Sequence, residues 1–312
     1  MRLSGTDLRL LHVFDAVVRN GGFAAAEAEL NISPSTISNH MSALEQRLGI
    51  KVCQRGRTGF SLTDKGQKVH EAVRRLFRGV AEFETDTDVL RGRLTGELRI
   101  AVVDSIASDD NCRLPAAIAR FAAMAPDVTL QLVQERPQEL QTRVHDGMYN
   151  CGIGSFPHAI SGLDRTLLYE ERNFLYVGRG HPLFDLPAAE VSVDALKRLP
   201  VVQRGYWRDQ DYKRFSLGPV GATVQQIEPQ LMLIRSGKFI GFLPDHVARP
   251  WHDAGALRRI LPDEVQYDCA FELVTRSGHR MTEVLKTFIR CCTEAHGMPA
   301  SGPSRQPEPA SS

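Results

Sequence analysis

Residues 30–49 read LNISPSTISNHMSALEQRLG, and the fold of the N-terminal part follows from how this stretch is punctuated. Ser33 is a good N-cap and Pro34 sits at the favoured first helical position. Ile37, Met41, Leu44 and Leu48 then recur at steps of four, three and four before Gly49 stops the helix. That stripe turns inward. Ser35, Ser38, Asn39 and Ser42 are left on the opposite face as short polar side chains, a surface suited to approaching a base edge.

Working outward, Thr6 is placed to cap a first helix in which Leu8, Leu11, Phe14, Val17 and Val18 keep helical spacing until Gly21 and Gly22 stop it. A short second helix is expected over Phe23 to Leu30. Three helices therefore fit within 50 residues. Downstream, KVCQRGRTGFSLT (51–63) reads as a turn-rich hairpin, a wing with Arg55 and Arg57 beside Gly56 and Gly59. From Asp64 a long helix carries Val69, Val73, Leu76, Val80, Phe83, Thr87 and Leu90 at alternating steps of four and three. This is the a/d seam of a dimerising helix, the alternative being the core helix of a single domain.

Gly92, Thr95 and Gly96 break that rhythm, and strands begin to alternate with helices. LRIAVV (98–103), VTLQLV (128–133) and CGIG (151–154), separated by helical stretches at 113–124 and 137–146, are in βαβαβ order, which implies a parallel sheet. Strand-like runs at 174–178, 200–203, 222–226, 239–243 and 271–275 follow, with a last helix at 280–295. The proline-bearing tail from Gly297 is expected to be disordered.

Composition narrows the class. At 312 residues the chain is long enough for more than one core, and 42% hydrophobic with 24% charged residues is a globular balance. No run approaches the roughly 20 apolar residues of a membrane span. Asp7, Arg9 and Asp15 interrupt any signal-peptide core, so a cytoplasmic location is expected. Six cysteines without CxxC or Cys/His spacing read as reduced thiols, and neither a metal site nor a cofactor is expected. Charge is divided: residues 1–81 hold twelve basic against seven acidic side chains, a surplus of five, while the remainder holds 26 against 30, a deficit of four. A basic head on an acidic body fits a polyanion partner for the head alone.

These residues carry a resemblance that runs from Leu8 to about Glu294. FAAAEAEL (23–30), ISPSTIS (32–38), LEQRLG (44–49), Arg55 and LTDKG (62–66) in the head resemble the LysR-type transcriptional regulators. So do GELRI (96–100), Leu114-Pro115, Phe121 with Pro126, GHPL (180–183) and SGKFIGFLP (236–244) in the body. The resemblance implies an N-terminal, mainly α winged helix-turn-helix (1–63) and a linker helix that dimerises (64–93). An α/β periplasmic-binding-protein-like effector domain of two subdomains (94–296) follows, its crossings near 160–172 and 268–276, and then the tail (297–312). The chain departs from the family pattern at Pro34, Ser35, Asn39, Val52-Cys53 and Thr58, and in a longer loop from Asp104 to Arg113.

In such a protein the second helix of the motif enters the major groove. Pro34, Ser35, Ser38 and Asn39 are expected at bases or groove, Thr36 and His40 as backbone support, and Arg55 and Arg57 at phosphate or in the adjacent minor groove. Asn39 is the sharpest case, because its amide matches adenine N6 and N7 as a pair. Dimerisation implies double-stranded DNA with an interrupted dyad. A homodimer or homotetramer is expected, with RNA polymerase as a further partner and no membrane.

Parallel α/β strands present ligands at their carboxyl ends. The small-molecule effector is therefore expected against Asp104, Ser105, Ser108, Ser155, Phe156, Arg204, Tyr206, Trp207, Gln226 and Glu228. Hydroxyls, an amide and an arginine suit a carboxylate, whereas Asp104, Asp109, Asp110 and Glu228 suit an amino group, so a nitrogen-bearing ligand is favoured. A thiol sensor using Cys112 is the runner-up. A solute-binding protein or an enzyme on the same body has no support in GxSxG, HExxH or Walker A motifs.

Overall fold

Helix α1 (Gly5–Arg19) opens the computed structural model, which describes residues 3–56, 59–206 and 210–297. The tail expected from Gly297, apart from that first residue, lies outside the described residues. Ser4 and not Thr6 caps α1: its hydroxyl accepts from the Asp7 N–H, and the Asp7 carboxylate accepts from the Ser4 N–H at 2.9 Å. This reciprocal pair satisfies two orphan donors, which the Thr6 position cannot do. Then come α2 (Phe23–Leu30) and α3 (Pro34–Leu48), the latter capped by Ser33 and closed by Gly49 at φ 69°. Ile37, Met41 and Leu44 are fully buried in one core with Leu10, Phe14 and Val17 of α1.

Strands β1 (Cys53–Gly56) and β2 (Gly59–Leu62) pair antiparallel, with Cys53 opposite Leu62 and Arg55 opposite Phe60. Helix α4 (Asp64–Leu90) leaves the hairpin at a point of close approach: a Cβ on Gly66 would stand 1.8 Å from the Val52 carbonyl oxygen. The helix does not carry one uniform seam. Val73 is 3% exposed within the head core, and Val69 and Leu76 pack against that core. Val80, Phe83 and Leu90 remain exposed, Phe83 at 68%. The first three seam positions are thus taken by the head's own core, since an amphipathic helix buries its stripe against the nearest apolar surface. The chain divides into two compact units between Thr87 and Asp88.

In the second unit, β3 (Thr95–Val102), α5 (Leu114–Met124), β4 (Asp127–Gln134), α6 (Pro137–His145) and β5 (Cys151–Gly154) form the expected βαβαβ unit, with β4 and β5 both parallel to β3. Next is β6 (Leu163–Gly178), a 16-residue strand of which only the last third is legible as a strand in the sequence. After it come α7 (Val193–Leu196), β7 (Val201–Arg204), α8 (Gln210–Phe215), β8 (Val220–Val224), α9 (Ile227–Arg235), β9 (Ile240–Pro244), α10 (Asp245–Asp253), β10 (Leu257–Arg259), β11 (Gln266–Arg276) and α11 (Glu283–Ala295).

One sheet runs through the unit in the order β4-β3-β5-β11-β6-β9-β7-β8, with β10 on β6. The two long strands serve both halves. Residues 272–274 of β11 pair with β5, whereas residues 173–177 of β6 pair with β9, and β6 and β11 pair with each other along their length. Parallel pairing holds within each half and antiparallel pairing at the centre, because the chain crosses over and back. One core joins Phe121 of α5 edge-on to Phe288 of α11, with ring centroids 5.5 Å apart. A second gathers Phe174, Tyr176, Ile234 and Leu243. Burying each such ring contributes about 1.5–3 kcal/mol.

Candidate functional site

The exposed face of α3 begins at its cap. Ser33 Oγ lies 2.9 Å from both Ser35 Oγ and Thr36 Oγ1 and also accepts from the Thr36 N–H, so these hydroxyls form a local cluster around the first turn. Pro34 is exposed beside them. One turn on, Ser38 and His40 are half-buried and Asn39 is exposed, its amide without a hydrogen-bond partner among the described residues. An amide so placed pays little to exchange water for a base edge. Arg55 is set by the hairpin register opposite Phe60; its side chain, and the whole of Arg57, lie outside the described residues.

What aims this face was not singled out in the sequence. Glu45 Oε1 accepts from the Val52 N–H at 3.0 Å and its Oε2 from Lys51 Nζ at 2.6 Å, tying α3 to the start of the hairpin. Arg47 reaches back to α1, its Nε and Nη2 donating to the two oxygens of Asp7 at 2.8 and 2.6 Å. The Arg47 guanidinium, helped by the Ser4 hydroxyl, lowers the Asp7 carboxyl to about 2. The signal available was the LEQR spacing, which places an acid and a base on the helix sides flanking the buried stripe.

In the second unit, Asp104, Ser155, Arg204 and Tyr206 come together with Glu171 and Ile227 around a chamber of about 30 Å³, room on the order of one or two waters. A wider mouth of about 320 Å³ opens beside it, lined by Asp104, Gln134, Glu135, Arg136, Gln225 and Gln226. Asp104 belongs to both. Its Oδ2 accepts from the Ile227 N–H at 2.6 Å, so the end of β3 holds the N-terminus of α9 across the cleft. Burial pushes the Asp104 carboxyl up, against the pull of that hydrogen bond. Arg204 is buried, donates to the Tyr267 hydroxyl and stands 5.9 Å from the Tyr206 ring centroid. Burial raises the Tyr206 phenol to about 12.

Four expected effector residues fall outside this lining. Phe156 is packed in the core beneath Arg165, where Gly154 leaves room for its ring. Glu228 faces solvent, because Ile227, Gln230, Leu231 and Ile234 take the buried side of α9. Ser105, at φ 63°, turns the chain into a short 3-10 segment (Ile106–Ser108), and Ser108 at its end bonds His246 Nδ1 at 2.9 Å. Trp207 lies outside the described residues. Glu171, a cleft residue, was missed because it sits in the charged part of β6.

Residues 8–67 match the family described as bacterial regulatory helix-turn-helix protein, lysR family, and residues 91–297 match the LysR substrate binding domain. The HTH-type transcriptional activator BauR of Pseudomonas aeruginosa is 35% identical over 289 residues, covering 92% of this chain and 95% of the relative. The chain is a member of the LysR family of transcriptional regulators. It is a DNA-binding regulator with an effector-binding body.

Solved structures agree on the fold. Full-length CbnR complexed with its target DNA superposes with a TM-score of 0.65 at 21% identity, over 92% of this chain and 99% of that one. LysG of Corynebacterium glutamicum with bound effector Arg gives 0.55 at 22%, over 93% and 97%. Among the described residues no helix is long and apolar enough to cross a membrane. In this LysR regulator all six cysteines are buried, and none of them forms a disulfide among the described residues. Burial raises the Cys112 thiol, the opposite of what a reactive thiolate needs. The family reading thus stands over the thiol-sensing alternative.

Proposed function

We propose that this LysR-type regulator reads an interrupted dyad in double-stranded DNA as a homodimer or homotetramer, in the cytoplasm and beside RNA polymerase. A small effector carrying an amino group controls it from the cleft between the two α/β subdomains, and its role is regulatory binding and not catalysis. The observation that carries the effector reading is Asp104, a half-buried acid shared by the inner chamber and its mouth, facing a buried Arg204. An ammonium group pairs with Asp104, Ser155 and Gln226 supply neutral hydrogen bonds, and Arg204 supplies positive charge for a carboxylate. The effector competes with the Ile227 N–H for Asp104. Its binding therefore shifts how the end of β3 and α9 pack, and with them the subdomains.

Titration of the full-length protein on the DNA flanking its own gene, against random DNA at two salt concentrations, tests the DNA reading; a specificity ratio that persists at higher salt is expected. Calorimetry with amino acids and their des-amino analogues tests the effector. Loss of roughly 100-fold or more in affinity without the amino group, matched by Asp104→Asn, is expected. Equal binding of both series would overturn the amino assignment.

A further inference from the structure

Three buried side chains converge from three separate segments: Asp109 from the turn after β3, Glu171 from β6 and His246 from the first turn of α10. One ligand-type atom of each lies within 4.8 Å of the others. His246 Nε2 is 3.0 Å from Glu171 Oε1 and 3.8 Å from Asp109 Oδ2. Four-coordinate sites with bonds of about 2.0–2.1 Å set neighbouring ligand atoms roughly 3.3 Å apart, between these two values.

An independent observation points into the cluster. Asp109 is 7% exposed, and although its Oδ1 accepts from the Asn111 N–H at 2.9 Å, its Oδ2 is buried and accepts no hydrogen bond. Buried carboxylate oxygens are ordinarily satisfied, and this one faces an imidazole nitrogen already engaged by Glu171. The surrounding groups orient the ligands as outer partners do at metal centres. Ser108 Oγ sits 2.9 Å from His246 Nδ1, fixing the ring with Nε2 turned inward, and Asn173 Nδ2 donates to Glu171 Oε2 at 3.1 Å.

We propose that Asp109, Glu171 and His246 bind a divalent first-row cation of the zinc class, through one imidazole nitrogen and two carboxylate oxygens, and that the bound cation ties the two subdomains together. Two carboxylates match its charge, the imidazole selects it over calcium and magnesium, and Oδ2 of Asp109 gains the partner it lacks. Asp109 comes from the turn after β3 and His246 from the element after β9, so the cation bridges the same two halves that Asp104 links to α9. The site shares Glu171 with the lining of the inner chamber and takes Asp109, one of the acids expected beside an amino group, but it uses none of Asp104, Ser155, Arg204 and Gln226, so cation binding is read separately from effector binding.

Full-length protein stripped with chelator is titrated with Co²⁺, read by its visible absorption, and with Zn²⁺ by calorimetry. One equivalent per chain, with the spectrum of a four-coordinate nitrogen–oxygen site, is expected. Asp109→Asn and His246→Gln are expected to weaken binding more than 100-fold, and Ser108→Ala roughly 10-fold. Asp109→Asn keeps Oδ1 for Asn111 and removes the unsatisfied charge, so this variant folds and its unloaded Tm equals or exceeds that of the wild type. It therefore carries the test even where His246→Gln fails to fold. No stoichiometric binding by the wild type, or wild-type affinity in Asp109→Asn, would overturn the proposal.

Discussion

In the head, Pro34, Ser35 and Asn39 stand exposed on one turn and a half of a single helix; in the body, Asp104, Glu171, Arg204 and Tyr206 come from segments up to a hundred residues apart and face a chamber with room for a water or two. The first surface is ready-made, its exposed groups solvated until, on the proposed reading, DNA replaces the water. The second already makes hydrogen bonds of its own, Asp104 to Ile227 and Arg204 to Tyr267, so on the proposed reading a ligand enters by exchanging partners. A reader that must meet a rigid duplex gains from rigid display, whereas a sensor needs contacts that one ligand can rearrange.

The largest effect expected from breaking this contrast lies at Gly66. Its Cβ position is 1.8 Å from the Val52 carbonyl, backbone that cannot step aside without moving the hairpin. Gly66→Ala is expected to destabilise the head by about 3 kcal/mol and to lose DNA binding, while effector binding by the body persists. Denaturant unfolding followed together with DNA and ligand titrations checks this, and loss of effector binding in the same variant would show that the two regions do not behave separately.

The same contrast explains what the sequence made legible. The head is local: cap, stripe, glycine stop and wing all lie within about 60 residues, and only the cap moved, from Thr6 to Ser4. In the body the βαβαβ unit was legible, as were the strands whose apolar runs are buried on both faces. The first ten residues of β6, LDRTLLYEER, were not, because Asp164, Arg165, Glu170, Glu171 and Arg172 break every apolar pattern a strand is read by. Arg165 pairs with Glu272, Arg172 with Asp268, and Glu171 with His246, all partners fixed by the crossing itself. Periodicity fails where polar residues hold a strand by tertiary pairing; of these only Glu171 is buried, while Arg165 is half-buried and Arg172 exposed. The four expected effector residues outside the lining, Ser105, Ser108, Phe156 and Glu228, show another limit: position after a strand does not say which side chain turns toward the cleft.

Asn39→Ala sharpens the comparison from the DNA side. An exposed amide without an internal partner contributes little to folding, so stability should stay within about 0.5 kcal/mol of wild type. Discrimination at one operator position should fall by about 2 kcal/mol. Competition assays against single-base operator variants read this directly. Equal losses on operator and random DNA would remove Asn39 from the base-reading set.

The exposed seam ranks next. Val73 belongs to the head core and Phe83 to solvent in the single chain, so the two should separate in their effects. Val73→Ala lowers the unfolding midpoint of the head, whereas Phe83→Ala leaves it unchanged and weakens self-association by about 1.5 kcal/mol for each ring removed from an interface. Sedimentation over a concentration series measures the second effect; unchanged association in Phe83→Ala would move the interface off this part of α4.

The smallest effect concerns the support beneath the reading face. Asp7 is buried at the start of α1 and holds Arg47 near the end of α3, and its carboxyl, lowered from 3.8 to about 2, ionises more readily folded than unfolded. A depressed folded value means that the stabilisation is fully present above about pH 4 and is lost as the pH falls through 2. The head of the wild type should therefore lose stability more steeply between pH 4 and 2 than Asp7→Asn, and the two curves should converge toward pH 2. A gap that stays constant from pH 6 to 2 would mean that the pair acts through packing alone. Convergence would show that the exposed display on α3 depends on a buried charge forty residues earlier in the chain, so that the head also relies, at one point, on the long-range polar pairing that builds the body.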